Sequence, residues 1–377
     1  MGPRQSEPPP NADLTNDRRN LETPGKTSFR EAAFMCMRPS PGSRMTSARS
    51  VPTTSTPTTM PTASLQVPVL PGGGVVRALC STVSSARQLS VFEQHLDDGR
   101  AFRWLCSSRL HAADVADTAA EGWDAELIVE TVVQLSTRSQ VRNTRSAAVA
   151  FCRSTLLPEY HRAMAAALGL CAIPLRTMLF LGVGGGALPC FLAQHHPRSV
   201  LTCVEADGST LALARDYFGC VPGPRMRLHG CTADAFLRRC PRARFSAVFI
   251  DLTGPLGTAP PQAWANTSVF RRIRSRLRHG GLICINVLAP ADGASPSHHL
   301  AAVTSAFVGA FGGASSWLLQ TSEGNAVMAS LVGGHGVNHC GREARENASA
   351  QKHLKAWLAG TAALGFEVSR LMPMPPR

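Results

Sequence analysis

Apolar and polar positions alternate along this chain in a way that divides it into stretches of different character. Short apolar runs recur at Met178 to Gly182, Val200 to Val204, Arg225 to Leu228, Ala247 to Ile250, Leu282 to Leu288 and Val327 to Val332, each of strand length. Between them lie segments with helical spacing, such as Thr210 to Phe218 and Val269 to Leu277. Just upstream, Leu156 to Leu170 puts Leu157, Tyr160, Met164, Ala167 and Leu168 on one helical face. Strands alternating with helices predict an α/β fold with a doubly wound, mostly parallel sheet, here over residues 154–335.

The flanking text reads differently. Residues 73–153 suggest a small β-rich N-terminal module: Val91-Phe92-Glu93 and Phe102 to Leu105 flank Asp97-Asp98-Gly99, a hairpin signal, and a second β-rich run spans Glu126 to Leu135. Residues 1–72 hold 12 of the 27 prolines and a Ser/Thr/Pro tract at Val51 to Ser64, with only Phe29 and Phe34 as aromatics. So little apolar surface cannot offset the entropy of ordering, and a disordered leader is expected. Residues 336–377 read as a C-terminal helix over Arg342 to Gly365 followed by a Pro-rich end that frays.

Composition adds exclusions. In 377 residues, 44% hydrophobic and 17% charged content rules out collagen-like, coiled-coil and wholly disordered chains. The net charge is +13, almost all from arginine, which could mark a nucleic-acid or acidic partner or simply coding bias. Its densest run, Arg271, Arg272, Arg274, Arg276 and Arg278, alternates with Phe270, Ile273 and Leu277 at buried-face spacing, so the arginines read as a solvated helix face. The 12 cysteines form no C-x-x-C pair and no ligand spacing, which disfavours structural zinc and a disulfide framework and points to a reducing compartment. His195-His196 and His298-His299 are adjacent rather than same-face pairs, so no metal site is expected. No uninterrupted apolar stretch approaches the roughly 20 residues of a membrane span. The location expected is cytoplasmic. The Arg/Ser-rich stretch from Arg38 to Arg49 makes the mitochondrion the alternative, although Glu7, Asp13, Asp17, Glu22 and Glu31 upstream spoil a transit signature.

Chemistry concentrates at strand ends. Leu181-Gly182-Val183-Gly184-Gly185-Gly186 follows a predicted strand and opens a predicted helix, the setting of a glycine-rich nucleotide loop. The next strand ends in Val204-Glu205-Ala206-Asp207, where Glu205 can accept hydrogen bonds from a ribose diol. After the third strand come Ala233-Asp234-Ala235, where Asp234 can meet an adenine amino group or serve as a helix cap. The fourth strand ends at Ile250-Asp251. Ligands of open α/β sheets bind outside the carboxyl ends of the strands, so these elements converge on one crevice.

In this order the motifs resemble the spermidine-synthase-like branch of class I S-adenosylmethionine-dependent methyltransferases, within it the methyltransferase-like proteins related to the C-terminal half of the dual methyltransferase of translation elongation factor 1-alpha. The resemblance covers about Val91 to Val332 and extends to Ala214 to Gly219, Gly280-Gly281-Leu282 and Ile285-Asn286-Val287. It implies a Rossmann-like methyltransferase sheet, S-adenosylmethionine as cofactor, and a homodimer. It also implies that Gly182, Gly184, Gly185 and Gly186 wrap the methionine end, Glu205 and Ala206 hold the ribose, Asp234 and Ala235 face the adenine, and Asp251 lies beside the sulfonium. Tyr160 would line the acceptor pocket, and Asp251 with Tyr160 would orient or deprotonate an acceptor amine.

Two departures choose between the branch's chemistries. Polyamine synthases carry an acid just after the glycine run and another in an Asp-x-x-Asp-Pro element, where this chain has Ala187 and Gly254. A dicationic amine needs such carboxylates. The expectation is therefore methyl transfer to an amine, with aminopropyl transfer to a polyamine the alternative and a catalytically inactive cofactor-binding interaction module the third possibility. The segment Asp251 to Pro255 also lacks the Asn/Asp-Pro-Pro-aromatic element of base-methylating enzymes, which favours a protein acceptor over nucleic acid.

Overall fold

The computed structural model describes residues 74–84, 87–109, 128–136, 151–171, 173–240, 243–254, 259–288, 296–312, 316–321, 324–333, 355, 359 and 370–373. The expected leader lies outside them, as does the terminal helix over residues 342–365 except for Lys355 and Ala359, both helical.

The β-rich module is a four-stranded antiparallel sheet in the order β1 (Val75–Ser84), β2 (Arg87–His95), β3 (Ala101–Arg109), β4 (Ile128–Gln134). The hairpin expected at Asp97-Asp98-Gly99 joins β2 to β3. Its turn is closed by the Leu96 amide on the Arg100 carbonyl at 2.8 Å, with Gly99 at φ 82. One face buries Phe92, Phe102, Trp104 and Val132 around Leu157. The other buries Leu89, Val91 and Leu105 against Leu213 and Phe218, which belong to the second sheet's layer. Thr131 pairs with Leu105 and Val129 with Cys106, so Glu130 between them is the extra residue of a β-bulge.

The second sheet has eight strands in the order β12-β10-β11-β9-β8-β5-β6-β7. Its elements are β5 (Thr177–Leu181), β6 (Val200–Glu205), β7 (Met226–Gly230), β8 (Phe245–Ile250), β9 (Leu277–Val287), β10 (Ser316–Gln320), β11 (Ala326–Leu331) and β12 (Arg370–Pro373). The five strands from β9 to β7 are mutually parallel, and β11, β10 and β12 extend the sheet antiparallel. Helices α1 (Glu159–Ala166), α2 (Ala187–His195), α3 (Gly208–Phe218), α4 (Ala233–Arg239), α5 (Thr267–Arg274) and α6 (Pro296–Phe311) cover it. Alternate residues of one strand feed opposite cores, as the pleat requires. Met178 and Phe180 pack with Met164 and Phe191 on one face, Leu179 and Leu181 with Phe236, Phe270 and Phe307 on the other. This is the doubly wound, mostly parallel sheet that the alternation predicts.

Three details differ from the sequence reading. Leu277 was expected on the helix after Val269 but begins β9, because α5 ends at Arg274 and the chain turns there. Leu277 is still buried, at 5% exposure, so helical spacing alone could not place it. Strand β10 was not expected at all. The tail expected to fray instead supplies β12, whose Arg370–Pro373 pairs with β10 at the sheet's edge, a position where proline is tolerated. Among the described residues ten cysteines are free, and no helix is long and apolar enough to cross a membrane.

Arg103 ties the small sheet to the large one. Its guanidinium donates to both the Glu93 carboxylate and the Tyr217 carbonyl (2.7 Å) and stacks over Phe151 at 5.7 Å. Burial alone would raise the Glu93 carboxyl, but hydrogen bonds from Arg103 and His95 outweigh it and hold it below the ordinary 4.5. A carboxyl held low in the folded state contributes stability above its ordinary value and loses it as pH falls through the lowered one. Arg103→Met is therefore expected to cost about 3 kcal/mol at neutral pH. The gap between variant and native chain should shrink below pH 4.5, where Glu93 takes up a proton. Urea denaturation at several pH values checks both, and a pH-independent gap would contradict the pairing.

Candidate active site

Strand order reverses between β5 and β8: the chain goes outward from β5 through β6 to β7, then returns to the other side of β5 at β8. A crevice opens at the carboxyl ends of strands at such a point. The glycine loop leaves β5 there, and Asp251 leaves β8. The two are in backbone contact: the Asp251 amide donates to the Leu181 carbonyl at 2.9 Å, and a Cβ on Gly182 would lie 1.9 Å from the Asp251 carbonyl oxygen. With φ at +89, Gly182 is required twice over, by its conformation and by this approach.

The Asp251 carboxylate is held from three sides. Oδ1 accepts from Asn286 Nδ2 at 2.9 Å, and Asn286 Oδ1 accepts in turn from Asn325 Nδ2 at 2.9 Å. Oδ2 faces Tyr160 Oη at 3.4 Å and His161 Nε2 at 3.3 Å. Its side chain stays 23% exposed whereas that of His161 is 5% exposed, so the carboxylate is the part that a ligand can reach. The His161 Nδ1 is buried without a hydrogen-bond partner among the described residues.

Glu205 ends β6 and turns back onto the loop. Its Oε2 accepts from the amides of Val183 (3.0 Å) and Gly184 (3.4 Å), and its Oε1 from the Asp207 amide (3.1 Å). Asp207 caps α3 through Ser209 and Thr210 and accepts from Ser84 Oγ at 2.6 Å. Burial raises its carboxyl, but those bonds and Arg87 outweigh it and hold it low. Ala206 is exposed beside them. The structure thus brings together Tyr160, Gly182 to Gly186, Glu205 and Asp251. Asp234 is placed differently. Thr232, not Asp234, caps α4 by accepting from the Ala235 amide at 3.2 Å, and the Asp234 carboxylate is engaged by Arg238 and Arg272.

Several further residues reach the crevice to which the sequence alone assigns no site role. Asn286 is a polar residue inside an apolar strand, a signal that the sequence offered. Asn325 reaches it from the residue preceding β11, and His161 adjoins Tyr160. From the small sheet come Thr131, whose Oγ1 accepts from the Gly185 amide at 2.8 Å, and Glu130, whose Oε1 accepts from Ser107 Oγ (2.6 Å) and Arg87 (3.0 Å). Burial raises the Glu130 carboxyl, Ser107 and Arg87 pull it back, and Glu205 and Asp251 add to the rise. Gly185 owes its identity to the strand: a Cβ there would meet Thr131 Cγ2 at 2.7 Å.

Acids therefore dominate the crevice of a chain whose net charge is +13. Among the described residues, the basic side chains that Glu130, Glu205, Asp207 and Asp251 meet are Arg87, which bridges Glu130 and Asp207, and His161. A cationic, hydroxyl-bearing ligand fits this donor set, as S-adenosylmethionine does with its sulfonium, ammonium and ribose. Gly182→Ala is expected to lower stability by about 2 kcal/mol or more, from strained φ and the contact with Asp251. An unchanged denaturant midpoint would contradict the approach of β5 to β8.

No family model matches the chain. Among curated proteins, the eEF1A lysine and N-terminal methyltransferases of Homo sapiens and Bos taurus are 33% and 31% identical over 152 and 150 residues, 36% of this chain. The match spans only 22% of the length of each of those relatives. A spermidine synthase of Coffea arabica is 29% identical over 129 residues, 33% of this chain and 40% of its own. Among solved structures, human methyltransferase-like protein 13 in complex with SAH has a TM-score of 0.41 and 24% identity, covering 53% of this chain and 92% of its own. Spermidine synthase from Thermotoga maritima has a TM-score of 0.46 and 14% identity, covering 78% and 80%. Over the matched stretch the chain is similar in sequence to the spermidine-synthase-like branch of class I S-adenosylmethionine-dependent methyltransferases.

Proposed function

We propose that the chain is an S-adenosylmethionine-dependent methyltransferase that methylates an amine on a protein. The observation that supports this most is Asp251, partly exposed at the switch point and fixed by Asn286, Tyr160 and His161 next to the glycine loop. The cofactor supplies a methyl group already activated by its sulfonium, so the chain's own task is alignment, exclusion of water and control of the acceptor's proton. Gly182 to Gly186 and Glu205 bind and orient. Asp251 accepts a proton from the incoming ammonium, or holds the amine's N–H in line, and Tyr160 Oη and the Asn286 amide keep its two oxygens from rotating away.

Against a polyamine acceptor stand Ala187 at the start of α2 and the buried Gly254, where a dication would call for carboxylates. Against nucleic acid stands the disposition of the arginine run. Arg272 is taken up by Asp234, Arg274 donates to the Ala310 carbonyl at 2.8 Å and Arg276 to the Leu237 carbonyl at 3.1 Å, so these three guanidiniums already have partners within the fold. The resemblance extends the proposal to a homodimer, and the scattered cysteines extend it to a cytoplasmic location, with the mitochondrion as alternative.

The test is transfer of a radiolabelled methyl group from S-adenosylmethionine into a whole-cell extract by the full chain, followed by protease or nuclease. Label released by protease and not by nuclease is the expected result. Asp251→Ala should lower that incorporation by roughly a hundredfold or more while cofactor binding persists. Incorporation unchanged in the variant would remove Asp251 from the mechanism, and label released by nuclease would overturn the protein acceptor.

A further inference from the structure

We propose that Glu130, presented by the β-bulge of β4, is the counter-charge for the primary ammonium at the methionine end of the cofactor, an assignment that rests on the S-adenosylmethionine reading above. In a regular strand Glu130 and Thr131 would face opposite sides of the sheet. The bulge breaks that alternation. Thr131 Oγ1 bonds the Gly185 amide, while the Glu130 carboxyl feels both Glu205 and Asp251, so adjacent residues serve one crevice. A Cβ on Gly184 would lie 3.1 Å from Thr131 Oγ1 and 3.6 Å from the Glu130 carbonyl oxygen, which shows how closely the strand rests on the loop.

The chemistry of the carboxyl group fits a cation. Its bonds from Ser107 and Arg87 both end on Oε1, and among the described residues none ends on Oε2. Arg87 is shared with Asp207, so among the described residues the acids of the crevice outnumber the cations that answer them. Burial and the two neighbouring carboxylates disfavour the ionised form of Glu130, and an arriving ammonium removes that penalty. The crevice also holds the buried Nδ1 of His161, on the residue that touches Asp251, and among the described residues that atom has no hydrogen-bond partner. S-adenosylhomocysteine carries that ammonium on an uncharged thioether, and methylthioadenosine keeps the thioether without the ammonium, so the pair differs in this charge and not in the charge on sulfur.

That difference supplies the experiment. The full native chain and its Glu130→Gln variant are titrated by calorimetry with S-adenosylmethionine, S-adenosylhomocysteine and methylthioadenosine, with thermal midpoints recorded alongside. Glutamine can accept the same bonds from Ser107 and Arg87 but carries no charge. The expected result is a loss of roughly tenfold or more in affinity for both ammonium-bearing ligands and none for methylthioadenosine. Equal losses for all three, or no loss, would overturn the assignment. Glu130→Asp, which keeps the charge on a shorter arm, should retain more affinity for the two ammonium-bearing ligands than Glu130→Gln, and the reverse order would also overturn it. A native chain that binds none of the three would instead remove the S-adenosylmethionine reading itself.

Discussion

Everything at the candidate site depends on the close approach of two strand ends. The carbonyl oxygen of Asp251 occupies the place where any side chain at position 182 would begin. That contact lets the glycine loop bend away from β5 while Asp251 stays beside it. It exists because β5 and β8 pair in parallel at the point where the sheet's winding reverses, with Phe180 stacked on Phe249 at 4.9 Å beneath it. The apolar faces of α1 and α2 below and of α4, α5 and α6 above hold the two strands in that register. Packing energy thus fixes where a polar site can be.

The small antiparallel sheet is part of the same device. Its core is completed by Leu213 and Phe218 from α3, Arg103 reaches across to the Tyr217 carbonyl, and Ser84 and Arg87 both engage Asp207. Those contacts bring the bulge of β4 down onto Gly184 and Gly185. Two glycines that a sequence reading assigns to ligand approach therefore also accommodate a strand. A loop pinned by Thr131 and Glu205 is preorganised, so less ordering has to accompany the binding of a ligand.

How much of this was legible in the sequence follows from how local each feature is. The glycine loop, Glu205 and Asp251 sit at strand ends and could be read from periodicity and spacing alone. So could the hairpin at Asp97-Asp98-Gly99, whose turn chemistry lies within a few residues. What could not be read depends on distant partners. Glu130 becomes a site residue only through a bulge defined by its pairing with β3. Asn325 matters only because β11 runs antiparallel to β9 and brings it to Asn286. Asp234 has the right position in sequence, yet Arg272, which lies 38 residues further on, takes up its carboxylate. Leu277 is buried as its helical spacing suggests and still belongs to a strand, because burial does not specify the element that achieves it.

The central claim is that the crevice between β5 and β8 binds the cofactor with its sulfur beside Asp251. A crystal structure of the full chain with S-adenosylhomocysteine tests it most directly. The account predicts the ribose hydroxyls on Glu205, the methionine end against Gly182 to Gly186 and the sulfur facing the Asp251 carboxylate. Ligand bound elsewhere on the chain, or bound in the crevice with its sulfur turned away from Asp251, would contradict it.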